Sequence, residues 1–271
     1  MGLLDFFHLR ENPFLITIDS RFFYNAQQHA EALVRLKHAV ENMKGLGVVV
    51  GDVGAGKTTL ATQLLEELDT EAYEAALLIV IYTEVTSEWM LRKIALQLGV
   101  PTPGETKTEL LTQLANRLEE LSESGKKAVV LIDEAQMLRS RELMEDFRGL
   151  LNIEVNGRKA VTFVLFGLPE LDAVLALDRP LFQRVAIRYQ LTELDVVGTE
   201  AYVAYRLGIA GGQEGTFASD TFPVIWRYSK GTPRLINTLC DNALLEAYLR
   251  KQERIEEALI HEVARDLRLD T

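Results

Sequence analysis

Four residues of a glycine-rich stretch carry the clearest chemistry in this sequence. Gly51, Gly56, Lys57 and Thr58 match G-x-x-x-x-G-K-[ST] at every fixed position. Glycines let backbone N–H groups turn inward around phosphate oxygens, and a helix beginning at the lysine directs the positive end of its dipole at the same anion. The pattern predicts a phosphate-binding loop. An ordinary glycine-rich turn between a strand and a helix is the alternative.

The predicted loop assigns specific roles to two of its side chains. Lys57 would reach the β- and γ-phosphates of a nucleotide, and the hydroxyl of Thr58 would ligate Mg²⁺. The residues expected to hold the nucleotide are Gly51, Asp52, Val53, Gly54, Ala55, Gly56, Lys57, Thr58 and Thr59.

An apolar run that ends in two acids provides the second half of the predicted site. Residues 127–132 have the composition of a buried strand, and Asp133 and Glu134 follow directly. In a P-loop ATPase, Asp133 would help to hold Mg²⁺, directly or through water, and Glu134 would polarise the attacking water. Together the two motifs predict an ATPase with ATP and Mg²⁺ as cofactors. A buried strand that ends in a solvated acidic turn is the alternative.

The elements that must position these residues alternate between strands and helices. Apolar runs predict strands before the phosphate loop and at residues 75–82, 127–132, 160–166 and 186–191. Helical spacing predicts helices between them, one over residues 27–43 and another capped by Ser87. Beyond Leu191 only helical patterns remain.

This order predicts two domains and an α/β fold class. We expect a five-stranded parallel sheet flanked by helices over residues 1–191, then a small all-helical lid over residues 192–271, which is the architecture of an AAA+ P-loop NTPase. The aromatic N-terminal segment, residues 1–26, is expected to pack on the nucleotide-binding domain. It would line an adenine pocket or belong to the core.

Two arginines are candidates to complete the catalytic site. Arg234 follows Pro233, which opens a lid helix, so it could swing toward the γ-phosphate as the lid closes. Arg184 precedes the fifth strand, where an arginine can project from one subunit into the site of the next in a ring or filament. A surface ion pair is the alternative for each, and Arg188 is the next candidate for the second role.

Composition excludes several classes of protein. The net charge of −11 disfavours a chain that mainly coats nucleic acid, because backbone binding needs a cationic surface, although a local basic patch remains compatible with it. The single cysteine, Cys240, permits no intrachain disulfide and indicates a cytosolic protein with a buried thiol. No apolar run approaches the ~20 residues that span a bilayer.

Motifs along nearly the whole chain resemble one family, the general secretion pathway protein A (ExeA-type) AAA+ ATPases. The matching segments are Asn12-Pro13-Phe14, Phe22-Phe23-Tyr24, His29-x-Glu31-Ala32-Leu33, Gly51 to Thr59, Asp133-Glu134-Ala135-Gln136, Gly167-x-Pro169-Glu170-Leu171, Gln183-Arg184, Gly231-x-Pro233-Arg234-x-Ile236-Asn237 and Leu239-Cys240-Asp241.

The resemblance implies an ATP-hydrolysing partner of envelope machinery that helps a secretin, a type II secretion system or a type IV pilus to assemble. Such a protein would be cytoplasmic and held at the inner face of the bacterial inner membrane by a partner. Family members often continue into a membrane helix and a peptidoglycan-binding domain, so this chain is either a stand-alone member or part of a longer protein.

One departure from the family bears on hydrolysis. Leu168 stands where the family usually has Gln, and leucine cannot hydrogen-bond a γ-phosphate or its water, so slow hydrolysis or a sensing role for Thr162 or another residue is expected. Two other functions remain open. One is an ATP-gated DNA-binding regulator of the transposition-ATPase kind, and the other is a nucleotide-dependent scaffold with weak hydrolysis.

Overall fold

The computed structural model describes residues 2–17 and 19–269, which form two compact units. The first, here called the α/β unit, contains Gln28–Val53 and Lys57–Leu191. The second, here called the helical unit, contains the residues up to Gln27, Gly54–Gly56 and the residues from Thr192 onward. The described part of the chain has no helix that is both long and apolar enough to cross a membrane.

The α/β unit is organised around a five-stranded parallel sheet. Its strands are β1 (Leu46–Val50), β2 (Tyr73–Ile79), β3 (Lys127–Asp133), β6 (Val161–Gly167) and β7 (Val185–Gln190). Their order is β2-β3-β6-β1-β7, so β6 lies between the strand before the phosphate loop and the strand that ends in Asp133. Every residue of β1 and β6 is buried, as expected for central strands covered by helices on both faces. The predicted fold class is confirmed.

Helices connect these strands in the order that the sequence predicts. They are α2 (Gln27–Glu41), α3 (Lys57–Glu66), α4 (Ser87–Gln97), α5 (Lys107–Glu123), α6 (Arg141–Leu150), α7 (Leu171–Leu175) and α8 (Arg179–Phe182). The buried faces of α4, α5 and α6 pack in one apolar core with β1, β3 and β6. This core supports the carboxyl edge of the sheet, where the predicted site residues lie.

Three local predictions in this unit differ from the structure. Thr86, and not Ser87, caps α4: its Oγ1 accepts a hydrogen bond from the backbone N of Trp89, while the buried Ser87 donates to Asp146. Strand β2 ends at Ile79, before the predicted residue 82. A hairpin, β4 (Glu154–Val155) and β5 (Arg158–Lys159), was not predicted.

The missed hairpin has a recognisable turn. Asn156 and Gly157 both have positive φ, 52° and 73°, which is the conformation that an Asn-Gly pair adopts in a two-residue hairpin loop. Each strand has only two residues, so no alternating apolar pattern was available to predict them.

The helical unit contains four long helices and the N-terminal segment. The helices are α9 (Val196–Ile209), α10 (Thr221–Ser229), α11 (Pro233–Leu249) and α12 (Glu257–Asp266), and the N-terminal segment contributes α1 (Leu3–Phe6) and a 3-10 turn (Ser20–Phe22). From the sequence, residues 1–26 were expected to pack on the α/β domain. The described residues of this segment belong to the helical unit instead, because Phe7, Phe14 and Phe22 are buried in its apolar core. These three aromatic rings therefore pack in the apolar core of the helical unit.

Cys240 is buried in this same core. Burial raises the pKa of its thiol, because the thiolate would lose its hydration. The residue is therefore a packing group, as its apolar sequence context predicts.

A buried arginine attaches the N-terminal segment to α9. Arg206 donates hydrogen bonds to the carbonyl oxygens of Pro13 (Nε, 2.5 Å) and Leu15 (Nη2, 3.0 Å), and its guanidinium lies over the ring of Phe22. Asn12 adds a bond from Nδ2 to Oδ1 of Asp241, 2.7 Å long. Hydrogen bonds from charged donors are among the stronger ones in proteins. These contacts explain why the Asn12-Pro13-Phe14 motif accompanies a helical domain far away in sequence.

We expect Arg206→Met to lower the free energy of unfolding by about 1.5 to 3 kcal/mol, because the carbonyl groups of Pro13 and Leu15 lose a charged donor while the apolar stem is retained. The segment around Pro13 should also become more susceptible to proteolysis. Urea denaturation and limited proteolysis measure the two effects. Arg227→Met, at an exposed position of α10, is the control and should stay within about 0.5 kcal/mol of wild type. Equal losses in both variants would contradict the prediction.

Candidate nucleotide site

The phosphate loop has the backbone geometry that its glycines predict. Gly54 and Gly56 have φ values of 81° and 95°, a region that residues with a side chain rarely enter. Helix α3 begins at Lys57, directly after the second of these glycines. The N–H groups of the first turn of a helix have no partners within the helix, so this end is suited to an anion.

Lys57 is buried, and its ammonium lies inside the loop. Its Nζ donates to the carbonyl oxygens of Gly51 and Asp52, at 2.9 Å in each case. A lysine is rarely buried without such partners, because a desolvated ammonium is costly. The loop therefore keeps the cation in place with its own carbonyl groups.

Thr58 and Asp133 meet directly, although 75 residues separate them. The Thr58 Oγ1 donates to Oδ2 of Asp133 at 2.5 Å. Asp133 is buried, and burial raises the pKa of its carboxyl despite this bond and a second one from the backbone N–H of Glu134. A cation beside this carboxylate would offset the cost of its burial.

These oxygens fit Mg²⁺. Hydroxyl and carboxylate oxygens are hard ligands, and Mg²⁺ is usually held by one or two carboxylates together with phosphate oxygens and water rather than by a cage of protein groups.

Glu134 is held in an unusual backbone conformation beside Asp133. Its φ of 56° is left-handed, which costs a residue with a side chain about 1 to 2 kcal/mol. Its backbone N donates to Oδ1 of Asp133 at 2.9 Å, and its Oε2 accepts from Nε2 of Gln136 at 2.6 Å. From the sequence, Gln136 was part of a matching motif but had no predicted role. The apolar Leu168 was the available signal, because it indicates that another residue has to supply the polar side chain at this position of the site.

The two candidate arginines of the β7 region have different partners. Nη1 of Arg184 donates to Oδ1 of Asn152 at 2.5 Å, and Arg184 is exposed. Arg188 forms a two-pronged ion pair with Asp172, with Nε to Oδ1 at 3.1 Å and Nη2 to Oδ2 at 2.5 Å. A doubly bonded guanidinium is less available to a second partner, so Arg184 remains the better candidate.

Arg234 lies in the first turn of α11 in the helical unit, which also includes Gly54–Gly56. The backbone N of Arg234 is 3.4 Å from the carbonyl oxygen of Gly54. A Cβ on Gly54 would lie 2.7 Å from Cβ of Arg234 and 3.0 Å from Cγ2 of Thr232. Gly54, which occupies a variable position of the phosphate-loop motif, thus has a packing role in addition to its special backbone conformation.

The turn before α11 depends on a second glycine. Gly231 has φ of 75°, and a Cβ there would lie 1.9 Å from the carbonyl oxygen of Leu194. Leu194 is also hydrogen-bonded to this turn, since its backbone N donates to the carbonyl oxygen of Gly231 at 3.0 Å. Nε1 of Trp226 donates to the Leu194 oxygen at 2.9 Å. The entry to α9 is therefore attached to the turn that carries Arg234.

Gly231→Ala should destabilise the helical unit more than Gly215→Ala does. Both positions have positive φ, 75° and 90°, so both alanines suffer the same backbone penalty, but nothing lies near a Cβ at Gly215. The clash at Gly231 should add about 1 to 3 kcal/mol, since the backbone around Leu194 has to shift. Chemical denaturation compares the two. If they lose the same stability, the contact with Leu194 is not restrictive.

The fold and the site define the class of this protein. A family model described as AAA domain matches residues 40–175, half of the chain, which include the phosphate loop, Asp133 and Glu134. The chain belongs to this AAA domain family.

A curated relative narrows the comparison. The chain is 36% identical over 254 residues to general secretion pathway protein A of Aeromonas hydrophila. This match confirms the resemblance seen in the motifs. It covers 92% of this chain but 46% of the relative, so the chain spans somewhat less than half of that protein.

Solved structures of AAA proteins share the fold. The ADP form of the Aeropyrum pernix ORC2 protein superimposes with a TM-score of 0.69 at 16% identity, over 90% of this chain and 71% of that chain. Cdc6p from Pyrobaculum aerophilum has a TM-score of 0.69 at 20% identity, over 90% of this chain and 67% of that chain. At these identities the likeness concerns the fold alone.

Proposed function

We propose that this chain binds ATP with Mg²⁺ and hydrolyses ATP to ADP and phosphate. The observation that carries the proposal is the 2.5 Å bond between Thr58 and Asp133. It joins two oxygen ligands suited to Mg²⁺. One of them, Thr58, follows Lys57 in the sequence, and the other, Asp133, precedes Glu134. A glycine-rich turn and an acidic turn without a common function would have no reason to meet.

Each polar residue of the site then has a distinct task. Lys57 would exchange the carbonyl oxygens of Gly51 and Asp52 for phosphate oxygens, and Glu134 would accept a proton from the attacking water. When bound, Mg²⁺ neutralises charge on the transferred phosphoryl group, and Thr58 and Asp133 are the side chains that would hold it. Arg234 would add a positive charge beside the loop, since its backbone N lies 3.4 Å from the carbonyl oxygen of Gly54.

Two substitutions separate binding from hydrolysis. Lys57→Ala should weaken ATP binding, because it removes the cation of the loop. Glu134→Gln should leave binding intact and reduce phosphate release by about 10² to 10⁴, because an amide does not accept the proton of water. Calorimetry and a phosphate-release assay measure the two properties, with Glu119→Gln on the exposed face of α5 as the control.

Three outcomes decide between the functions. If Lys57→Ala binds ATP like wild type, the nucleotide site is wrongly assigned. If Glu134→Gln turns over ATP like wild type, another residue activates the water. If wild type binds ATP without measurable turnover, the nucleotide-dependent scaffold is the better description.

We propose further that this activity serves envelope machinery, a secretin, type II secretion or type IV pilus system, from the cytoplasmic side of the inner membrane. The support is the 36% identity to general secretion pathway protein A. A DNA-binding regulator has weaker support: a fold neighbour, the Aeropyrum pernix ORC1 protein, was solved in complex with DNA, but it is 16% identical and this chain carries a net charge of −11.

Assembly into a ring or filament would place Arg184 in the site of the next subunit. The exposure of its guanidinium, which is bonded to an amide rather than to a carboxylate, supports this role. An arginine supplied in trans can contribute ~10³ to 10⁵ in rate. Such a contact is head-to-tail, so it either closes into a ring or continues as a filament.

Arg184→Ala should therefore bind ATP normally and lose hydrolysis. Mixing it with Lys57→Ala should restore part of the activity, because one variant keeps an intact pocket and the other keeps Arg184. Phosphate release measured across mixing ratios and protein concentrations tests this. Arg188→Ala, which breaks the pair with Asp172, is the comparison variant, because Arg188 is the next candidate for this role. A mixture that remains inactive would make Arg184 a local structural residue.

A further inference from the structure

Gln136 connects Glu134 to the end of β6 through a single side-chain amide. The residue lies in the 3-10 turn Ala135–Met137 and is 2% exposed. Its Nε2 donates to Oε2 of Glu134 at 2.6 Å, and its Oε1 accepts from the backbone N of Leu168 at 3.1 Å. A carboxylate only accepts and a backbone N–H only donates, so these partners determine which way the amide points.

The end of β6 leaves room for this amide because it carries no side chain. A Cβ on Gly167 would lie 2.8 Å from Oε1 of Gln136, 3.3 Å from its backbone N and 3.0 Å from Cδ2 of Leu171. The space that Gly167 leaves empty is thus filled by the Gln136 side chain. The contact is a close-packed part of the α/β unit.

The bond restricts a carboxylate that would otherwise have several orientations. A glutamate side chain has three rotatable bonds, and the contacts of the Glu134 backbone, its N–H to Asp133 and its carbonyl oxygen to the backbone N of Met137, do not restrict them. With Oε2 engaged by Gln136, Oε1 is the oxygen without a protein partner in the described part of the chain, and so the one available to water. A proton acceptor works only within hydrogen-bond reach of the proton that it takes.

We propose that Gln136 is the positioning residue for Glu134 and links that carboxylate to the backbone of Leu168 at the end of β6. The inference rests on the proposed hydrolysis of ATP, because Glu134 needs a reacting water to act on. It also resolves the departure at Leu168. The side chain there is apolar, but its backbone N–H donates a hydrogen bond to Oε1 of Gln136, so the polar side chain at this position comes from the turn that follows β3.

Substitutions of Gln136 test the role while preserving its volume. Gln136→Met has nearly the same shape and forms neither hydrogen bond, so kcat should fall by about 10- to 100-fold, the cost of a misplacement of roughly 1 Å, while KM stays the same. Gln136→His offers one ring donor and one ring acceptor and should recover most of the loss. Gln97→Met, at an exposed position of α4, is the matched control and should behave like wild type.

A second variant reaches the same contact from the other side. Gly167→Ala should displace the amide of Gln136 and reproduce the fall in kcat. Because both substitutions break one interaction, the double variant Gly167→Ala with Gln136→Met should lose little more than either single variant. Losses that multiply would show that Gly167 acts independently of Gln136.

The backbone amide of Leu168 supplies a readout that needs no catalysis. In ¹⁵N-labelled nucleotide-free protein, Gln136→Met should change the chemical shift of the Leu168 amide proton and speed the exchange of that proton with solvent. Gln136→His should preserve the wild-type shift and exchange rate. If wild type hydrolyses ATP and Gln136→Met has the same kcat, the inference is overturned. A higher kcat in Gln136→Met would also overturn it, because Gln136 would then hold Glu134 in an unproductive orientation. Absence of turnover in wild type would instead overturn the proposed function, and the positioning role with it.

Discussion

The site depends on the alignment of three strand ends at one edge of a parallel sheet. Val50, the last residue of β1, is paired with Gly167 of β6, and Ile132 of β3 is paired with Leu165. Because β6 lies between β1 and β3, the phosphate loop and the acidic pair approach each other across its carboxyl end. A side chain on Gly167, the last residue of β6, would meet Gln136 and Leu171. The glycine at the end of β6 is therefore part of the packing that supports the acidic pair.

Burial gives this arrangement its electrostatic character. Asp133 and Lys57 are both withdrawn from water, and each is surrounded by groups of the opposite polarity supplied by the backbone or by a neighbouring side chain. Preorganised polar groups in such surroundings act more strongly than the same groups would in water. The chain thus prepares the charges of the site before any ligand arrives.

The sequence predicted the parts of the structure that follow from local patterns. The phosphate loop has fixed spacing, the strands are continuous apolar runs, and the strand signals stop at Leu191, so these features were accessible. The site of Gln136 was not, because its partners come from β6 and become neighbours only when the sheet forms. The place of the N-terminal segment was missed for the same reason, since its rings are buried by helices close to the other end of the chain.

The packing of the N-terminal segment against late helices affects how the chain folds during synthesis on the ribosome. Pro13 and its partner Arg206 are 193 residues apart, so the segment that is translated early must wait until most of the chain has emerged. The α/β unit, whose strands lie within residues 46–190, is complete before that moment. Since domains generally fold as units during translation, the sheet would form first and the N-terminal aromatic rings would remain exposed until α9 is made. A nascent chain of this kind would be a natural client of chaperones that shield apolar segments.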